Sequence, residues 1–155
     1  MSALMAVGKG SNGHVAGLKS SGSRASSCHG RKIAMAVILI VEDDELVRQI
    51  AELMIEDRGH STFSACDMDE ALSVLRSPQH IDALFTDIRL KAAVLGGYEL
   101  ARQAIKLWPK LRVLYTTGNF LPEKKSALFV EGAHFLPKPY TQEQLENAVE
   151  ELLAA

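Results

Sequence analysis

The chain has 155 residues, of which 47% are hydrophobic and 23% charged, and its formal net charge is −2. This length suits one globular domain. No apolar run approaches the roughly 20 residues that a membrane-spanning helix needs, so a membrane protein is not expected. The two cysteines, Cys28 and Cys66, make no disulfide framework and fit a reducing compartment, so we expect a cytoplasmic protein.

Residues 1–34 differ in composition from the rest of the chain. They are rich in Ser and Gly, carry five basic and no acidic residues, and show no helical or strand periodicity. We predict a disordered tail, because such a segment buries too little apolar surface to offset its ordering entropy. A transit peptide and a translation start at Met35 are the alternatives; a secretory signal would need a long apolar core. The folded domain is predicted over residues 35–155.

The remaining residues form an acidic body with 12 basic against 19 acidic side chains, a net charge of −7. An acidic surface argues against direct binding of DNA or RNA by this body. It suits a domain that binds a divalent cation or a partner with a basic surface.

In chain order, the first element is an apolar strand over residues 36–41, which ends at Glu42 and Asp43. Asp44 is placed to cap the following helix, and Glu45 to lie on its positive N-terminus. The apolar face of that helix is predicted from Leu46, Ile50 and Leu53, which recur at i, i+4, i+7, with Val47 and Met54 alongside.

Four more short apolar runs then alternate with amphipathic stretches. The predicted strands are residues 61–66, 81–86, 111–115 and 134–136. Two of the predicted helices begin after capping pairs, Asp67 with Glu70 and Thr141 with Gln144. The other two begin at Tyr98 and at Leu121, and the latter ends at Val130. Buried runs alternating with helices predict a doubly wound α/β domain with a five-stranded parallel sheet.

Chemically active side chains recur at the predicted C-terminal ends of these strands. Glu42 and Asp43 follow the first strand, and the third strand ends on Asp87. Thr117 follows the fourth strand, and Lys138 follows the fifth. Ligands of open parallel sheets bind at this edge. Clustered carboxylates suit Mg²⁺, and acid, lysine and hydroxyl groups are what phosphoryl transfer requires. No Walker loop or GxGxxG motif is present, so nucleotide binding is not indicated.

With these segments in order, the chain from about Ala36 onward resembles the receiver domain of two-component response regulators. The matching segments are VILIVEDDELVR at 37–48, DALFTDIRL at 82–90, VLYTTG at 113–118 and FLPKP at 135–139. The resemblance implies the flavodoxin-like fold with strand order 2-1-3-4-5.

The resemblance also implies a role for each site residue. Asp87 would be the phosphoacceptor, and Lys138 would pair with it. Mg²⁺ would be held by Asp43, by Glu42 through water, by Asp87 and by the backbone carbonyl of Arg89. Thr117 would be the switch hydroxyl and Phe135 the switch aromatic, and Arg89 and Asn119 would influence the lifetime of the phosphorylated form. One departure is the loop at 91–97, which has no Pro and is about two residues longer than usual in the family.

The expected function is therefore that of a phosphoacceptor in a two-component phosphorelay. The donor would be a histidine kinase or a histidine phosphotransfer protein, and the output would pass through the face made by the predicted fourth helix, fifth strand and fifth helix, which could also support a homodimer. We expect a stand-alone receiver without an output domain, and no enzyme beyond its own phosphorylation and dephosphorylation. Two alternatives are a receiver-like interaction module that is never phosphorylated and a Mg²⁺-dependent phosphatase with an Asp nucleophile.

Overall fold

The structure, a computed structural model, describes residues 35–91, 93–118 and 127–155. The predictions for the N-terminal tail, for Asn119 and for most of the helix at 121–130 lie outside these residues.

Five short strands form one parallel sheet. They are β1 (Val37–Val41), β2 (Ser61–Ala65), β3 (Ala83–Asp87), β4 (Arg112–Thr117) and β5 (His134–Pro137), in the spatial order β2-β1-β3-β4-β5. Every neighbouring pair is parallel, and β3 is paired with β1 on one side and β4 on the other. This confirms the predicted fold and strand order, and it places β3, with Asp87 at its end, in the centre of the sheet.

Four helices are seen in the described residues: α1 (Glu45–Glu56), α2 (Met68–Arg76), α3 (Gly96–Leu107) and α4 (Gln142–Ala154). The predicted caps are largely present. Asp44 accepts hydrogen bonds from the backbone N–H groups of Leu46 and Val47, and Thr141 and Gln144 form a complete capping box. Asp67 caps α2 by accepting from Glu70 N, but the Glu70 carboxylate accepts from Cys66 N and so completes no box.

Side chains alternate between two cores, one on each face of the sheet. Along β1, Leu39 and Val41 face the core shared with α2 and α3, whereas Ile38 and Ile40 face the core shared with α1 and α4. Because both faces are covered, the central strands are apolar at nearly every position. No helix among the described residues is long and apolar enough to cross a lipid bilayer.

Two details of the helix predictions are wrong. Leu46, Ile50 and Leu53 do not face the core, because their exposed fractions are 66%, 41% and 67%. The helix packs instead through the buried Ala51 and Ile55, whereas the predicted Val47 and Met54 are half-buried and Met54 contacts this core. In addition, of residues 127–130, expected in a helix, 127–129 form a turn and a bend and 130 is irregular.

Candidate functional site

The C-terminal ends of β1 and β3 bring three carboxylates together. Glu42, Asp43 and Asp87 each offer one oxygen to a group in which all three oxygens lie within 4.8 Å of one another. Glu42 and Asp87 are nearly buried, at 5% and 8% exposure, whereas Asp43 is exposed. Adjacent strands of a parallel sheet end at the same edge, which is why residues more than 40 positions apart in sequence converge here.

Lys138, just after β5, lies over two of these acids. Its ammonium donates to Asp87 Oδ2 at 2.7 Å and forms a second, shorter ion pair with Glu42 Oε2. Pro137 and Pro139 flank it and restrict its backbone, so the long side chain is held over the carboxylates. Ion pairs at buried sites are sensitive to the loss of either partner, because the remaining charge is left without compensation.

The pKa values of the two partners reflect this burial. Burial raises the pKa of Glu42, and the hydrogen bond and charge of Lys138 oppose that rise only in part. For Lys138, burial alone would lower the pKa, but hydrogen bonds to Asp87 and Glu42 outweigh it, so the pKa lies above its ordinary value. The lysine is therefore charged at neutral pH. Burial disfavours the ionised form of Glu42.

The carboxylate of Asp87 is fixed through both of its oxygens. Oδ1 accepts from the backbone N–H of Arg89 at 2.9 Å, and Oδ2 accepts from Lys138. Behind it, Gly97 at the start of α3 approaches so closely that a Cβ there would lie 2.2 Å from the Asp87 carbonyl oxygen. The N-terminus of α3 therefore packs directly on the backbone that carries Asp87.

Thr117 and Phe135 lie on the two strands beyond Asp87. Thr117 ends β4 with an exposed fraction of 3%, and its carbonyl accepts from the backbone N–H of Lys138 at 3.0 Å. Phe135, on β5, is half-buried and packs against Phe129 with a ring-centroid distance of 5.9 Å. Phe129 in turn stacks on Tyr115 at 4.6 Å, so the ring of Phe135 is connected to the core by aromatic contacts.

The carboxylate set fits a small divalent cation. Within the described residues, the ion pairs of this cluster set one lysine against three carboxylates. Negative charge is therefore in excess, and it lies on the hard oxygen ligands that such a cation prefers. Like charges at these separations repel strongly where water is partly excluded, and a cation relieves that repulsion.

Two residues at the site were missed by the sequence analysis. Lys91 donates its backbone N–H to Asp43 Oδ2 at 2.9 Å, and Gly97 makes the close approach to Asp87. Lys91 lies in the loop after β3, and Gly97 lies in the first turn of α3, which follows that loop. The consecutive glycines at 96–97 were a signal for a tight approach of the backbone, whereas nothing in the sequence marks the Lys91 contact.

A family search matches residues 38–150 to the response regulator receiver domain. The chain belongs to the response regulator receiver family. Among curated relatives, it is 31% identical over 120 residues to the nitrogen assimilation regulatory protein NtrX of Azorhizobium caulinodans and 32% identical over 117 residues to the response regulator MprA of Mycobacterium avium. These matches cover 74% and 75% of this chain, but 26% and 50% of those relatives.

Solved receiver structures show the same architecture. A response regulator receiver protein from Sinorhizobium medicae superimposes with a TM-score of 0.71 at 28% identity, covering 78% of this chain and 96% of that one. The chemotaxis response regulator CheY4 of Vibrio cholerae gives 0.67 at 26% identity, covering 77% of this chain and all of CheY4. The similarity therefore extends over whole receiver domains, while the chain spans half or less of the curated relatives' length.

Proposed function

We propose that this receiver domain accepts a phosphoryl group on Asp87 from a histidine kinase or a histidine phosphotransfer protein. One observation carries the proposal: Asp87 is a nearly buried carboxylate, paired with Lys138, at the edge where Glu42 and Asp43 also lie. An aspartate that merely ended a strand would need neither the lysine nor the other two acids.

In the transfer, a carboxylate oxygen of Asp87 attacks the phosphorus of a phosphohistidine. The new O–P bond makes an acyl phosphate, the P–N bond breaks, and the imidazole leaves with its electron pair. The ammonium of Lys138 lies 2.7 Å from Asp87 Oδ2 and would help to hold the attacking carboxylate in place. The Arg89 N–H, which donates to Oδ1, holds the carboxylate in one orientation before the phosphoryl group arrives.

Mg²⁺ is the cofactor that we propose for this step. Asp43, Asp87 and the backbone carbonyl of Arg89 would hold it directly, and Glu42 would do so through water. When bound, it would supply positive charge to the transferring phosphoryl oxygens. Lys138 provides the fixed cation beside it, so the site could neutralise the phosphoryl group from two directions.

The remaining roles belong to the phosphorylated state. Thr117 would donate its hydroxyl to the phosphoryl group, and Phe135 would change rotamer as Thr117 moves. These changes would alter the face formed by β5, α4 and the segment at 121–130. That face is also our proposed dimer contact. Arg89 and Asn119 would influence how long the acyl phosphate survives. Beyond this self-modification, we propose no enzymatic turnover and no direct contact with DNA.

The donor protein would approach along α1. The exposed apolar side chains Leu46, Ile50 and Leu53 lie on one face of this helix. A groove of about 440 Å³ beside it is lined by Val47, Ile50, Met54, Gly118, Lys138, Pro139 and Tyr140. Because Lys138 both lines the groove and contacts Asp87, a protein that covered the groove would lie beside the phosphoacceptor. An amphipathic helix carrying the phosphohistidine is the occupant that suits an apolar groove of this kind.

The test is phosphorylation with acetyl phosphate, with and without Mg²⁺. We expect an acid-stable, hydroxylamine-labile adduct that requires Mg²⁺, disappears in Asp87→Asn and persists in Asp69→Asn, an exposed aspartate of α2. Absence of an adduct from acetyl phosphate and from phosphorylated donor proteins would instead support an interaction module that is never phosphorylated. Repeated turnover of p-nitrophenyl phosphate would support the phosphatase alternative.

A further inference from the structure

The loop after β3 contains a residue held in an unusual conformation. Lys91 has φ +50°, in the left-handed region that side chains other than glycine seldom adopt. Leu90 and Ala93 form an antiparallel bridge around it, with hydrogen bonds in both directions at 3.2 and 2.9 Å. The loop is therefore folded back in a tight turn with Lys91 near its tip. Contacts of Lys91 with the rest of the protein must offset the energetic cost of its left-handed backbone.

Lys91 is fixed at both ends. Its backbone N–H donates to Asp43 Oδ2 at 2.9 Å, and its ammonium forms an ion pair with Asp67 Oδ2 at 2.7 Å. Asp67 is itself held in place, because its other oxygen caps α2 by accepting from Glu70 N at 2.9 Å. One residue thus connects the turn after β1 to the turn after β2.

This connection matters because Asp43 is exposed, unlike Glu42 and Asp87. Packing alone does not fix its carboxylate. A hydrogen bond to one carboxylate oxygen sets the orientation in which the other oxygen is presented, and such contacts around a metal ligand affect metal affinity.

We propose that Lys91 is a positioning residue for Asp43: its ion pair with Asp67 holds the loop so that its N–H orients the carboxylate for the cation. This inference rests on the proposed Mg²⁺ site. It assigns a role to the loop after β3, in which one residue contacts both Asp43 and Asp67.

An effect of charge and an effect of positioning predict opposite changes in cation affinity for Lys91→Met, and the same change for Asp67→Asn. If Lys91 and Asp67 acted only through their charges, Lys91→Met would strengthen the binding of a cation and Asp67→Asn would weaken it. If they act by positioning Asp43, both variants weaken binding. Asn retains a side-chain oxygen for capping α2, so Asp67→Asn removes the ion pair and keeps the cap.

The experiment is calorimetric titration of the full chain with Mg²⁺ alone, without a phosphodonor. Exposed ion pairs are weak, so we expect the dissociation constant to rise about two- to fivefold in both Lys91→Met and Asp67→Asn. The double variant should be no worse than either single one, because both remove the same contact. Lys91→Arg should retain binding. Lys110→Met, which removes an exposed lysine before β4 at the opposite end of the sheet, is the matched control.

Two further measurements separate positioning from a merely structural role. The amide proton of Lys91 should exchange with solvent faster in Asp67→Asn than in the wild type. In phosphorylation assays, the variants should need more Mg²⁺ for half-maximal rate, with the smaller change in the rate at saturating Mg²⁺.

Tighter Mg²⁺ binding by Lys91→Met, unchanged binding in both variants, or additive losses in the double variant would overturn the inference and leave the proposed function intact. Failure of the wild-type chain to bind Mg²⁺ would overturn the proposed cofactor and this inference with it.

Discussion

Replacement of Gly97 by alanine tests the close contact between the start of α3 and the backbone of Asp87. Gly97 begins α3 beside Gly96, and alanine is favoured over glycine in helices by about 1 kcal/mol. On helix propensity alone, Gly97→Ala should therefore stabilise the protein. The tertiary contact predicts the opposite, because the new Cβ would lie 2.2 Å from the Asp87 carbonyl oxygen and 2.9 Å from Ile88 Cα.

The size of the effect can be worked out from those distances. A real Cβ lies no closer than 3.0 Å to such atoms, so the backbone must separate by close to 1 Å. Both neighbours are backbone atoms and cannot rotate away; overpacking of this kind costs about 1–3 kcal/mol. The hydrogen bond from Gly97 N to Ile88 O, at 3.0 Å, is strained by the same movement. Net of the propensity gain of about 1 kcal/mol, we expect a loss of up to about 2 kcal/mol in the free energy of unfolding.

The same movement displaces Asp87, the proposed phosphoacceptor, and misplacement of a reacting group by about 1 Å can lower a rate by about 100-fold. Urea denaturation measures the stability, and the rate of adduct formation with acetyl phosphate measures the chemistry. Gly96→Ala is the control: its Cβ would meet the side-chain atoms Ala93 Cβ and Leu90 Cβ at 3.1 Å each, so small shifts suffice. A Gly97→Ala protein with the stability and rate of Gly96→Ala would refute the argument.

Two other predictions concern buried ionisable groups. Lys138→Met leaves Glu42 and Asp87 without their cation, and should lower the free energy of unfolding by about 3 kcal/mol at pH 7. The loss should be smaller at acid pH, where Glu42 is protonated, and urea titrations at both pH values measure the difference. Tyr115 is buried and its pKa is raised to about 12, so its neutral form stabilises the fold up to about pH 10 and that contribution is lost as the pH rises toward about 12. Tyr115→Phe should therefore gain about 1.4 kcal/mol relative to the wild type between about pH 8 and about pH 11 in urea titrations; an equal pH dependence of both proteins would contradict it.

Much of this fold could be predicted from local patterns. Strands buried on both faces are continuous apolar runs, and the run that ends at Asp87 shows this pattern clearly. The alternation of such runs with amphipathic stretches predicts parallel pairing, and parallel pairing places all strand ends at one edge. The proximity of Asp43, Asp87 and Lys138 is a result of that topology, because it depends on where strands end and not on details of packing.

Local patterns in the sequence therefore predict the order of the elements, the sheet, and the edge at which the carboxylates and the lysine meet. Tertiary structure alone decided which stripe of α1 is buried, since both Leu46 and Ala51 lie on helical apolar series and only the fit against the sheet distinguishes them. It also decided the approach of Gly97 to Asp87 and the bridge from Lys91 to Asp67. These contacts depend on how closely separate segments approach one another in the folded chain. No local sequence pattern encodes that approach.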